Sequence, residues 1–177
     1  MAFWREQLLD QLDFHWTHQL RPRLAGLSDA EYLWEPVPDC WSLRPSADGR
    51  LTLDWAWPAP EPAPVTTIAW RLAHVIVGVL AMRSASHFGA PPASYDTYPL
   101  AATAAEALSQ LDAEVERWRT GVQGWSDEDL RVPCGPSEGP YAAMPRATLV
   151  LHIHREVIHH LAEVSLLRDL YVRASGG

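Results

Sequence analysis

The chain contains no lysine; all 14 of its basic residues are arginine, set against 22 acidic ones for a formal net charge of -8. The arginines form no basic block. A face for nucleic acid needs clustered cations, so this balance argues against DNA or RNA as a partner. Cysteine is almost as scarce. Cys40 and Cys134 make neither a CxxC pair nor a disulfide framework, which points to reduced thiols and a cytoplasmic location. Both lie in loop-like sequence without a local histidine, a poor setting for a nucleophilic thiol. Long apolar runs are also missing. The best candidate, around Ala73 to Met82, is too short to cross a bilayer, so no membrane is expected. The amino-terminal residues show no basic segment followed by an apolar one, as a leader would.

What remains is a chain of 177 residues, 47% hydrophobic, long enough for one domain over residues 1–177 with a sizeable core. Apolar periodicity predicts four main helices. The first runs from about Phe3 to Leu24, with Leu8, Leu9, Leu12, Phe14, Trp16 and Leu20 as apolar surface. Ser28 and Glu31 have the spacing of a capping box, so a short helix follows. Helix 2 spans about Thr66 or Thr67 to His87, stopped by Gly89. Helix 3 spans about Ala102 to Gln123, with Leu108, Leu111, Val115 and Trp118 as its stripe. Helix 4 spans about Pro145 to Tyr171, proline being well placed as a first helical residue. Strand signals are few; Leu51 to Trp57 alternates enough for one hairpin arm. The economical fold class is all-α, a four-helix bundle with a long Pro/Trp-rich loop between helices 1 and 2. Such a loop serves as a lid, a site wall or a partner surface. Its residues Trp41, Trp55 and Trp57, with Trp34 just before it, serve packing in the plainer reading.

Chemistry concentrates in helix 4, between His152 and Glu163. Glu156 and His160 are one turn apart and share a face with Glu163 and the core leucines Leu149 and Leu167. His159 falls toward the rim of that face, and His154 lies well away from it. A carboxylate among leucines is costly unless it is paired or metal-bound. His74, in the apolar pattern of helix 2, adds an imidazole from a second helix. Together His74, Glu156 and His160 make three candidate ligands with one coordination position left open, as catalytic metal sites require. The plainer alternative pairs Glu156 with an arginine and makes His74 and His160 hydrogen-bonded core histidines. Glu156 and His159 also match half of a di-iron motif, but no second ExxH exists. His15 and His18 read as surface or half-buried, and His87 as a partner of its helix dipole.

Three passages carry a family resemblance: Trp41 and Ser42 before helix 2, Trp70 through Val75 within it, and Arg155 through His160 in helix 4. Their order and spacing cover nearly the whole chain, which resembles the DinB-like superfamily of four-helix proteins, including mycothiol- and bacillithiol-dependent enzymes. The resemblance implies a divalent metal, often zinc or nickel, held by a helix 2 histidine and an HxxxH pair in the last helix. His74 and His160 match the outer positions. Glu156 stands where the family has histidine, giving a mixed nitrogen and oxygen set that suits zinc and tolerates other ions. Glu163, one turn on, matches an orienting partner or occasional ligand. The implied activity is transfer of a low-molecular-weight thiol such as mycothiol, deprotonated at the open metal position, to a small electrophilic substrate. Hydrolysis by metal-activated water, or a metal-binding stress-response protein without turnover, fits the same residues. The resemblance allows a homodimer.

Overall fold

The computed structural model describes residues 3–175. The domain expected over 1–177 therefore includes two residues at each end that lie outside the described range. The protein is mostly helical. Its elements in order are α1 (residues 3–23), α2 (Asp29–Tyr32), β1 (Leu43–Pro45), β2 (Leu51–Leu53), α3 (Ile68–Phe88), α4 (Ala104–Gln123) and α5 (Arg146–Ser175). The four long helices follow the apolar periodicity to within a few residues. α1 and α3 each contain a π-helical stretch, Trp16–Leu20 and His74–Ala81.

Local chemistry explains the ends. The Thr67 hydroxyl accepts from the Trp70 amide and opens α3, while Gly89 closes it at φ 68, a left-handed position that glycine takes without penalty. Thr103 caps α4 in the same way. The capping box of Ser28 and Glu31 forms as its spacing predicts. α3 packs against α4 and α5, and α1 packs against the same two helices from the other side. Leu12, Leu72, Leu80, Leu111, Trp118, Ile153 and Leu161 meet in the common core. Phe14, expected on the apolar face of α1, is instead 56% exposed, because that face is filled by Leu8, Leu12 and Leu20.

The connection between α1 and α3 is less loop-like than its prolines suggest. β1 and β2 pair antiparallel, with Leu43 opposite Leu53. A two-stranded ribbon has little stability alone. Here it is tied to α3: Trp41 and Thr66 form a bridge, and the Trp70 indole donates to the Asp54 carbonyl at 2.8 Å. The tryptophan-rich segment is thereby folded down beside the start of α3.

The apolar stretch from Ala73 to Met82 proves to be the middle of a longer helix. Ile68–Phe88 is long and apolar enough to cross a membrane by length and composition, correcting the expectation that it is too short. Two thirds of its apolar window, 67%, is buried inside the protein, so its hydrophobic surface is used by the core.

Candidate metal centre

The site lies where the first turns of α3 meet the middle of α5. Both helices are already fixed there by core packing, so the polar residues between them are held on rigid elements. His160 is the hub. Its Nε2 lies 3.4 Å from Glu156 Oε2, one turn back on α5. The His74 ring approaches edge to face, with centroids 4.8 Å apart. On the opposite edge His160 Nδ1 lies 3.0 Å from Glu163 Oε2. Arg71 closes that side: its Nη1 forms an ion pair with Glu163 Oε2 at 2.7 Å and is within hydrogen-bond distance of His160 Nδ1 at 3.1 Å. The two partners of Nδ1 compete: when Nδ1–H donates to Glu163, the Nε2 lone pair lies toward Glu156, and when Nδ1 accepts from Arg71, Nε2 carries the proton.

His74 is held just as specifically. It stacks on Trp70 with centroids 5.3 Å apart and 21° between planes. Its Nδ1 is 2.8 Å from the Tyr95 hydroxyl, which leaves Nε2 as its remaining ligand atom. Tyr95 reaches this position only because residue 78 is glycine. A Cβ there would stand 2.1 Å from the Tyr95 oxygen. Burial pushes the His74 pKa down to about 4, helped by the neighbouring His160 and opposed by the Glu156 carboxylate. Burial also lowers His160, against the hydrogen bond to the Glu163 carboxylate. Both rings are thus neutral near pH 7, the form that ligates metals.

Some expectations need correction. Glu156 is not enclosed by leucines. Its side chain is 25% exposed, at the rim, and it also meets His152 Nδ1 and Arg155 at 3.4 Å. His154 lies away from the Glu156 face as expected, but it is fully buried there, because α5 is covered on more than one side. His87 does more than complement a helix dipole: its Nε2 is 2.9 Å from Glu138 Oε1, with both side chains almost wholly buried. Arg71 was not foreseen, although it sits one turn before His74 and that spacing was a usable signal. Tyr95 carries no such signal, since it arrives from a separate loop.

Another grouping shares the hub. His159, His160 and Glu163 offer ligand atoms that all lie within 4.8 Å of one another and can hold a metal ion. His159 is 61% exposed, and its Nε2 is 3.6 Å from Glu163 Oε1. A cavity of about 760 Å³ lies next to the centre, on the hairpin side. Tyr95 lines it, whereas His74, Glu156 and His160 do not.

No curated protein and no solved structure matches the chain. A family model described as the DinB superfamily matches residues 11–164, which takes in the hairpin, α3 and every residue of the centre. The chain belongs to the DinB superfamily.

Proposed function

We propose that this protein is a divalent-metal-dependent enzyme that joins a low-molecular-weight thiol, such as mycothiol, to a small electrophile. His74, Glu156 and His160 are the proposed ligands. The observation that carries this reading is the convergence on His160, whose Nδ1 lies 3.0 Å from Glu163 Oε2, whose Nε2 lies 3.4 Å from Glu156 Oε2, and whose ring meets the His74 ring edge to face. Carboxylate–imidazole pairs of this kind fix the tautomer and orientation of metal-binding histidines. Two imidazoles and a carboxylate suit zinc or nickel by donor type. The His159 side is the weaker choice. A cation there meets the Arg71 guanidinium, which already holds Glu163 Oε2 at 2.7 Å.

A divalent ion at this position supplies a Lewis acid that lowers the pKa of a thiol or water. The chain's own residues do the rest. Glu163 and Tyr95 orient the two imidazoles, and Trp70 fixes the plane of His74. Arg71 holds Glu163 in place and keeps positive charge beside the site, where an anionic reactant gains from it. The side chains of His160, Glu156 and Glu163 are 11%, 25% and 32% exposed, so the centre is reachable from solvent.

One observation favours metal binding without turnover: the large cavity does not open onto the three ligands. Elemental analysis of untagged wild type and His160→Ala, followed by mycothiol transfer assays on model electrophiles, separates these readings. One equivalent of zinc or nickel lost in the variant, with metal-dependent consumption of thiol, supports the enzyme. Metal without turnover of thiol, or of ester and amide substrates that would expose a hydrolase, supports the binding protein. No metal in wild type after loading sinks both.

A further inference from the structure

The cavity beside the centre has the size of a small-molecule site, at about 760 Å³. Leu51, Leu53, Met82, Trp55 and Tyr95 give it an apolar and partly aromatic wall. Its charge is acidic, with Asp48 and Asp96 against one guanidinium, Arg50. Arg50 donates to the Asp96 carbonyl, tying the hairpin turn to the 94–98 segment, and its charge offsets one of the two carboxylates. Flat aromatic surface beside one carboxylate charge in excess selects planar molecules that carry a hydrogen-bond donor or a positive charge. Tyr95 belongs to both places. Its ring lines the cavity, and its hydroxyl holds His74 Nδ1 at 2.8 Å through the gap left by Gly78.

We propose that this cavity binds a small planar aromatic amine, and that Tyr95 is the positioning residue through which occupancy of the cavity reaches His74. The cavity half stands alone, and the link to His74 rests on the metal reading above. A ligand against the Tyr95 ring moves its hydroxyl relative to His74 and so alters the geometry of any metal that His74 helps to hold.

The test uses the full chain and three related probes: tryptamine, indole and indole-3-acetate. Equilibrium dialysis on metal-free protein is expected to rank tryptamine first and indole-3-acetate last, about tenfold apart. Leu53→Trp, which fills the cavity, is expected to weaken tryptamine about tenfold with the circular dichroism spectrum unchanged. Met82→Trp serves the same purpose if the first variant does not fold. For the link, Co²⁺ is loaded and its visible spectrum followed. Tryptamine is expected to shift that spectrum in wild type, and Tyr95→Phe to lose the shift at tryptamine concentrations that saturate the variant. Absence of tryptamine binding, or binding indifferent to both filling substitutions, overturns the cavity site. A spectrum that tryptamine leaves unmoved in wild type overturns the link. Failure of Co²⁺ to bind at all overturns the metal reading and the link together, while dialysis still decides the cavity.

Discussion

The two faces of α5 each bury a histidine, and they treat it in opposite ways. On one face His160 is surrounded by Glu156, Glu163, Arg71 and His74, and both ring nitrogens have polar neighbours. On the other face His154 is fully buried beside Trp118, and neither of its nitrogens makes a hydrogen bond. Burial pushes the His154 pKa down to about 4, opposed by the charge of Asp13 and the backbone of Leu8. The same side chain on the same helix is thus a hydrogen-bonded, partly reachable imidazole on one side and a neutral core residue on the other. What differs is whether polar groups of the packed helix come within hydrogen-bond geometry of the ring.

The strongest way to break this comparison is at the metal. His160→Ala is expected to lower zinc affinity by about 100- to 1000-fold, read by competition with a chromophoric chelator, while His154→Leu changes it by less than about threefold. Equal losses in both variants would mean that α5 has no privileged face. The next effect is in stability. His154→Leu removes two unpaired polar atoms from the core and is expected to raise the unfolding free energy by about 1–3 kcal/mol in urea at pH 7.

The same substitution sharpens the pH dependence. In the unfolded chain the His154 imidazole takes up its proton near its ordinary pKa of 6.5, whereas the folded protein resists protonation until about 4. The unfolded state therefore binds more protons between these values, and stability falls as the pH drops from about 6.5 to about 4. His154→Leu is expected to flatten that slope without abolishing it, because His74 and His160 are lowered in the same direction. Urea titrations at several pH values read this directly, and an unchanged slope would assign the acid sensitivity elsewhere.

Smaller effects test on which side of His160 the proposed metal sits. Glu163→Gln keeps the shape but weakens the partner of Nδ1, and is expected to cost about ten- to hundredfold in zinc affinity. His159→Ala is expected to cost less than about threefold. A loss in His159→Ala as large as that in His160→Ala would move the ion to the group formed by His159, His160 and Glu163.

Much of this arrangement is legible in the sequence, for definite reasons. The long helices follow apolar periodicity because each buries a stripe, and their ends follow Thr67, Thr103 and Gly89 because caps are local chemistry. The proximity of Glu156, His160 and Glu163 needs only the pitch of one helix. His154 escapes this logic. A helical wheel assumes one inward face, whereas a 30-residue helix packed by both α1 and α3 has more than one. The hairpin was only half visible, since Leu51 to Leu53 alternates while the partner strand ends in Pro45.

The sequence by itself determined the helical class, the family and the donor cluster on α5, because all three rest on periodicity and short-range spacing. Only the tertiary structure decided that His74 meets His160, that Arg71 takes Glu163 on the far edge, and that Tyr95 comes through the gap at Gly78. Those contacts join residues 17 to 92 positions apart in the chain. Nothing in local propensity specifies them; the packing of α3 on α5 and the tie of the 94–98 segment to the hairpin do.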